Sequence, residues 1–377
     1  MVGIESCDIL TFPAPEKQFP SKNDPHGMPW KCLPGVFRAR SEASLVSVEV
    51  HDLDLSGSRD RLIELLAESL DDWRNAAPGK YAWLYLENPA GPARVWGLKA
   101  EGLVVGASAA LPRTIRSTLR HAAWVLGDFC IAPRHRSLGP ALALQRAACD
   151  AVERGEVDLW YDFPSRTMLA IYARMSIRPA GEMKRLVYPL KVDSFVEKRV
   201  GSAVIRRGVS AVGNAALSAR DAIRQRDRAV EVRLFDRNFE GAYRTGLEDK
   251  GGVYLDRTAD YLNWRYRRDP RGAASILEAG GAFLVFRRSS DQIGIVDLFG
   301  TDDAAILREL VLEVIEIGRA ESMESVVCSI SEQHPWVPIL EELGFRVRDG
   351  VPFVVYARPG VLEEGTAWFL MSGDRDS

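Results

Sequence analysis

The sequence predicts an α/β fold made twice, as two consecutive units that each pack helices on a mixed sheet. Two observations carry this. The first is an alternation of strand-like and helix-like patterns between residues 45 and 193. The second is a segment that occurs twice. Trp83-Leu84-Tyr85-Leu86-Glu87-Asn88-Pro89-Ala90-Gly91-Pro92-Ala93 aligns with Trp264-Arg265-Tyr266-Arg267-Arg268-Asp269-Pro270-Arg271-Gly272-Ala273-Ala274, and both fit W-x-Y-x-x-[ND]-P-x-G-x-A. Downstream, Gly127-Asp128-Phe129 and Val296-Asp297-Leu298 correspond, each at the end of a strand and before a helix. Matched positions at fixed offsets imply a duplicated unit of about 140–150 residues, an ordinary domain size.

Within the first unit the elements follow from periodicity. Val46, Val48 and Val50 alternate with polar residues and read as a strand. Ser58 precedes Leu62, Leu66, Leu70 and Trp73 at helical spacing. Val95–Leu98 and Leu103–Leu111 read as strands paired around Glu101-Gly102, and Ala122–Ile131 as a further apolar strand. A helix is expected from Pro140 to Arg154, closed by Gly155. A strand at Val157–Phe163, a short helix at Leu169–Met175 and a strand at Arg185–Leu190 complete the unit. The expected divisions are an irregular, proline-bearing segment at 1–44, a first unit at 45–193, a connector at 194–230, a second unit at 231–360 and a tail at 361–377. Arginine and lysine outnumber acidic residues in the connector, which reads as a helix with a basic face. That face is either solvated surface packed between the units or a membrane-surface contact.

Composition narrows the function classes. The 377 residues are 46% hydrophobic and 27% charged, ordinary for a globular protein. With 49 basic against 52 acidic residues the formal charge is −3, without the basic excess of a nucleic-acid binder. No apolar run approaches the ~18 residues of a spanning helix. The first residues show no signal peptide. Five scattered cysteines argue against a disulfide framework and for a reducing, cytoplasmic setting. The five histidines are isolated, so no metal site is expected.

The segment with most chemistry follows the Ala122–Ile131 strand: Ile131-Ala132-Pro133-Arg134-His135-Arg136-Ser137-Leu138-Gly139-Pro140-Ala141, then a helix. A small-residue turn at a helix N-terminus exposes unpaired N–H groups that favour a phosphate or pyrophosphate, and the neighbouring arginines add positive charge. An ordinary capped turn with solvent-exposed arginines is the alternative from the residues alone.

Arg136-x-x-Gly139-x-Ala141 resembles the [QR]-x-x-G-x-[GA] pyrophosphate loop of the GNAT-type N-acetyltransferases, and Asp128-Phe129-Cys130-Ile131-Ala132-Pro133 resembles their D-x-x-V-x-P lead-in. The likeness covers about residues 45–190, with a looser copy at 230–357. It implies two tandem GNAT-like units, each a mixed, largely antiparallel sheet flanked by helices. The duplicated tryptophan segment and the ending Trp368–Asp376 are similar to GNAT-like proteins of bacterial surface-polysaccharide loci. The resemblance implies acetyl-CoA or another acyl-CoA as co-substrate. Ser137, Leu138, Gly139 and Ala141 would hold its pyrophosphate beside Arg134 and Arg136, and the Phe129, Cys130, Ile131 and Ala132 strand edge would pair with its pantetheine. Pro140 removes one N–H from that cradle. The acceptor would be an amine on a small molecule or saccharide.

Phe163-Pro164-Ser165 followed by Ile171-Tyr172-Ala173-Arg174 resembles the family segment whose tyrosine is the general acid, which places Tyr172 in that role, with surface packing as the alternative. Asp128 and Asp162, near strand ends, are candidate bases, with turn or cap carboxylates as the alternative. In the second unit Asp302 and Asp303 would repel a pyrophosphate, so only the first unit is expected to bind CoA. His334-Pro335-Trp336 is either a substrate loop or a loop with a docked tryptophan. Two other functions remain open: a GNAT-like binding or scaffold protein without catalysis, and an aminoacyl-tRNA-dependent transferase of the FemABX type.

Overall fold

The computed structural model describes residues 48–191 and 230–375. The segment expected at 1–44, the connector at 194–230 (all but Val230) and the last two residues of the tail lie outside them. The first half runs β1 (Val48–Asp52), α1 (Arg59–Ser69), α2 (Asp71–Arg74), a π-helical turn (Ala82–Leu86), β2 (Arg94–Ala100), β3 (Leu103–Arg116), β4 (Arg120–Ile131), α3 (Leu138–Glu153), β5 (Leu159–Asp162), α4 (Arg166–Arg174) and β6 (Pro179–Pro189). The second half opens with two short strands, β7 (Arg233–Leu234) and β8 (Tyr254–Leu255). It then repeats the order as α5 (Ala259–Leu262), a π-helical turn (Asn263–Arg267), β9 (Ser275–Ala279), β10 (Ala282–Arg288), β11 (Gln292–Phe299), α6 (Ala304–Ala320), β12 (Ser325–Ser331), α7 (Val337–Leu343) and β13 (Arg346–Ala357).

The strands of both halves join in one sheet, in the order β1-β2-β3-β4-β5-β13-β6-β12-β11-β10-β9-β7, with β8 on β3. The final strands are exchanged. β13, from the second half, lies between β5 and β6, and β6 pairs with β12. Only β4–β5 and β11–β12 are parallel; the other pairs are antiparallel, so the sheet is mixed and largely antiparallel.

Helices cover this sheet because their apolar stripes have the right period. In α3, Ala141, Leu144, Ala148, Cys149, Ala151 and Val152 are buried on one face, beside Trp96, Trp124 and Trp160 of the sheet. The helix stops where Gly155, at φ +77°, takes the left-handed turn: its N–H bonds the Val152 carbonyl and the Glu156 N–H bonds that of Ala151. α6 covers the second half in the same way through Leu307, Leu310, Val311, Val314 and Ile315.

The helix expected to run from Ser58 through Trp73 breaks instead. Leu70 takes an extended backbone (φ −129°, ψ 125°), and α2 starts a new direction. That break carries Trp73 onto Asp128, 2.7 Å from indole nitrogen to carboxylate. The strand expected at Arg185–Leu190 begins earlier, at Pro179, because its first residues pair with β13.

Candidate acyl-CoA cleft

β4 and β5 pair only where Ala123–Val125 meet Leu159–Tyr161. Beyond that point they diverge, and α3 and α4 flank the gap. The resulting cleft, about 540 Å³, is lined by Phe129, Cys130 and Ile131 of β4, Arg136 to Leu138 and Ala141 at the start of α3, Thr167, Ala170, Ile171 and Arg174 of α4, and Ser69. It is large enough for a ligand of ordinary cofactor size.

The start of α3 is open. Its N-cap Ser137 makes no side-chain cap bond, so the Leu138 and Gly139 N–H groups meet no capping side chain, and Pro140 has none to offer. A Cβ built on Gly139 would meet nothing within 4 Å, so no atom of the described residues fills that space. By contrast, Ser165 caps α4 by accepting the Met168 N–H, and Asp303 caps α6 by accepting the Ala305 N–H at 2.8 Å. An uncapped N-terminus beside Arg134, Arg136 and Arg174 fits a pyrophosphate. Arg136 has a second task, since its Nε bonds the Ile131 carbonyl at 2.7 Å and so fixes the strand end to the turn.

Asp128 lies on a bulge: Ala107 pairs with Cys130 and Ala109 with Gly127, so Asp128 and Phe129 face the single residue Ser108. Its φ is +49°, a costly conformation for a residue with a side chain. The half-buried carboxylate accepts from Trp73 Nε1 on one oxygen and from the Tyr85 hydroxyl on the other, both at 2.7 Å. Neighbouring Cys130 is inert as a nucleophile, because burial, with the Asp128 charge, pushes its thiol up to about 12.

None of the three acid or base candidates lines the cleft itself: Asp128 adjoins it through its neighbour Phe129, and Asp162 and Tyr172 lie behind it. Tyr172 is fully buried against Trp160, with its hydroxyl 2.6 Å from an Asp162 oxygen and 3.2 Å from Gln145 Oε1. Burial, reinforced by the Asp162 charge, raises its pKa well above the ordinary tyrosine value. Tyr172, expected to donate a proton to a leaving thiolate, thus has an enclosed hydroxyl that donates to Asp162. The surface hydroxyl of the alternative reading is not found. Asp162, half-buried, is committed to the same bond. Ala132, Arg134 and Gly139 stand around the turn without lining the cleft, whereas Phe129, Cys130, Ile131, Arg136, Ser137, Leu138 and Ala141 line it.

Ser69, Thr167, Ala170, Ile171 and Arg174 were not expected at the cleft. The four on α4 are spaced i, i+3, i+4, i+7, the helix face beside Tyr172, and that period was the available signal.

The second half closes the equivalent place. β11 and β12 pair from Gln292–Ile295 to Ser325–Cys328 and then diverge. There the gap is filled by the chain's own ending: the Ser372 hydroxyl bonds the Ile295 and Val296 carbonyls, Met371 bridges Ile330, and the Ser331 hydroxyl bonds the Trp368 carbonyl. Trp336, buried, donates its indole N–H to the Leu298 carbonyl, which settles the His334-Pro335-Trp336 loop as a docked one. Burial, with Arg257 nearby, pulls His334 down to about 3. Asp297, the counterpart of Asp128, is fully buried and gripped at both oxygens by Arg257 (2.9 and 3.0 Å) and by the Tyr266 hydroxyl (2.6 Å).

No protein-family model and no curated protein matches the sequence. Solved structures do resemble it. A conserved protein of unknown function from Enterococcus faecalis V583, named a probable N-acyltransferase, superposes with a TM-score of 0.57 at 11% identity, over 82% of this chain and 72% of its own. A GCN5-related N-acetyltransferase from Anabaena variabilis ATCC 29413 gives 0.56 at 15% identity, over 82% and 72%. One from Kribbella flavida gives 0.53 at 13%, over 83% and 72%. The fold is the GNAT fold. At these identities the likeness speaks for the GNAT architecture alone. Among the described residues no helix is long and apolar enough to cross a membrane, and no group of three or more His, Cys, Asp or Glu could hold a metal ion.

Proposed function

We propose that the chain is an acyl-CoA-dependent N-acyltransferase whose site is the β4–β5 cleft of the first half. The observation that carries this is the uncapped N-terminus of α3 at the mouth of an open strand divergence, set against the capped and plugged counterpart in the second half. The Leu138 and Gly139 N–H groups, with Arg134 and Arg174, hold the pyrophosphate. Phe129 to Ile131 line the path of the pantetheine. Asp128 takes the proton of the acceptor amine, directly or through a water, as the nitrogen bonds the acyl carbon. The carbon–sulfur bond breaks and CoA leaves as the thiol, its proton supplied by solvent, since Tyr172 is enclosed. The two halves are read as one duplicated unit, supported by the matched turns and exchanged last strands. The acceptor, an amino sugar or a surface-polysaccharide precursor, and the cytoplasmic setting rest on the sequence resemblance.

Calorimetric titration with acetyl-CoA and longer acyl-CoAs tests the reading. Wild type binds one equivalent, and Gly139→Glu, which puts a carboxylate into the empty space over α3, binds none. Equal binding by a folded Gly139→Glu variant overturns it. CoA binding without turnover on any amine would favour the non-catalytic alternative, to which the enclosed Tyr172 lends some support.

A further inference from the structure

A second cavity, about 480 Å³, opens in the other half and is unlike the first. Its walls are Arg265 and Tyr266 of the second π-helical turn, Arg271 to Ala273 after it, Arg287 and Arg288 of β10, and Ser372 of the tail. It is not the counterpart of the CoA cleft, which would lie between β11, α6 and α7. Among the described residues no carboxylate lines it. Two acids pair with its arginines: Asp269, a fully buried side chain, is shared by Arg271 and Arg287 at 2.9 and 2.7 Å, and Glu321 pairs with Arg288 at 2.7 Å. Behind Tyr266, Asp297 and Asp374 share Arg257.

The wall carries four guanidinium groups against Asp269 and Glu321; with Asp297, Asp374 and the single Arg257 behind it, the whole cluster keeps an excess of one positive charge. Arg265 is 3% exposed, its Nε and one Nη bond only the Gly373 and Arg375 carbonyls, and its other Nη has no partner. Arg287 is held below the usual arginine value by burial, and the charges of Arg271 and Arg265 push in the same direction. Among the described residues, Arg265 is thus the guanidinium of this wall that meets backbone carbonyls and no carboxylate.

We propose that this cavity is a binding site for a phosphoryl group carried by the acceptor, a sugar phosphate or nucleotide-linked sugar. A phosphoryl group offers several anionic oxygens at once, which suits a wall of clustered guanidinium groups better than a single carboxylate would. The volume leaves room for a ring beside the phosphate, against Tyr266 and Phe286. One wall residue is also tied toward the first half: Arg265 bonds the Arg375 carbonyl at 2.7 Å, and the Arg375 guanidinium lies 5.0 Å from the Phe163 ring, just past β5. The assignment of the phosphate to an acceptor rests on the acyltransferase reading; the anion site itself does not.

The test titrates inorganic phosphate into the Gly139→Glu variant, which removes the α3 cradle as a competing anion site. Saturable binding is expected, weakened ~10-fold or more by Arg271→Ala and abolished by Ala273→Glu, a substitution at an exposed wall position that leaves the buried Asp269 pairs intact. Absence of phosphate binding to Gly139→Glu, or binding unchanged by Ala273→Glu, overturns the site. CoA titration of Ala273→Glu alone separates the two readings. Retained CoA affinity with lost phosphate binding is the expected pair, and loss of both would show that the two sites are not independent and overturn the assignment. With the anion site established, a phosphorylated amino sugar must outcompete the unphosphorylated one as acceptor, in kcat/KM; equal efficiency overturns the acceptor assignment.

Discussion

Trp83 and Trp264 hold each other reciprocally: the indole N–H of each donates to the backbone carbonyl of the other at 2.8 Å, and their rings stack at 4.9 Å. A contact in which residue i meets j as j meets i is the signature of a twofold relation between surfaces. Around it the two turns match. Tyr85 bonds Asp128 as Tyr266 bonds Asp297, and the Ala93 N–H bonds the Tyr85 carbonyl as Ala274 does that of Tyr266. Gly91 and Gly272 share φ values of +119° and +114°. The spacing conserved between the two segments thus serves the join between the halves.

This gives a stability prediction. Trp83→Ala and Trp264→Ala should each cost ~3–5 kcal/mol, the usual range for a fully buried tryptophan. Because both remove one shared contact, the double variant should cost less than their sum. Urea unfolding of the three variants measures this, and simple additivity would mean that the two rings act separately.

Tyr172→Phe tests whether the buried hydroxyl packs or acts as an acid. It removes a hydrogen bond to a carboxylate and keeps the ring on Trp160, so stability should fall by ~1.5–3 kcal/mol. CoA affinity and turnover should stay within a few-fold of wild type. A ~10²-fold loss of turnover in a folded variant would show Tyr172 to act as an acid.

Pro140 stands at the third position of α3, in the first turn, where an N–H has no intrahelical partner. Pro140→Ala supplies that donor. If the cradle holds a pyrophosphate, acyl-CoA should bind up to ~10-fold tighter, in line with one added hydrogen bond to a charged group. Unchanged affinity would place the anion elsewhere on the turn.

Burial keeps His334 neutral, with its Nδ1 accepting the Trp336 N–H. The folded value, about 3, lies below the ordinary 6.5, so the unfolded chain binds the extra proton between those pH values. His334 therefore subtracts stability as pH falls through 6.5, by ~2–3 kcal/mol at pH 4.5. Asp374 works in the opposite direction: burial raises it to about 6, so protonation favours the fold below that pH. His334→Asn, which can keep the acceptor, should therefore gain stability relative to wild type on acidification, read from urea midpoints at pH 7 and 4.5. Parallel pH profiles would refute a buried neutral histidine.

Local patterns made much of this legible. The π-helical turns lie at the repeated tryptophan segments, and the open turn lies at Arg136–Ala141, because turn chemistry and strand alternation are encoded within a few residues. The exchange of β6 and β13 was not legible. A last strand reads the same whichever neighbour it pairs with, and only three-dimensional packing chooses. Trp73 was expected as a helix-face residue, and its bond to Asp128 depends on a break at Leu70 that no glycine or proline announces. The tail that plugs the second half is likewise a long-range event, since Ser372 meets Val296 across 76 residues.

The strain at Asp128 supplies the most direct test of catalysis. A residue with a side chain is held at φ +49° on a bulge beside the cleft, while its two oxygens are aimed by Trp73 and Tyr85. Asn tolerates the left-handed region, keeps the size of the side chain and cannot take a proton from an amine. Asp128→Asn should therefore fold and bind acyl-CoA like wild type, because the cradle at α3 is untouched. Turnover should fall ~10²–10⁴-fold, as for a lost general base. The loss should shrink as pH rises toward the amine's own pKa, where more acceptor arrives already deprotonated. Asp128→Gly should be as inactive as Asp128→Asn but less stable, because it leaves the buried Trp73 and Tyr85 donors without a partner. Full turnover in Asp128→Asn would leave Asp128 as a strut for Trp73 and Tyr85. A uniform loss at every pH would point to misplacement of the acceptor rather than to a missing base.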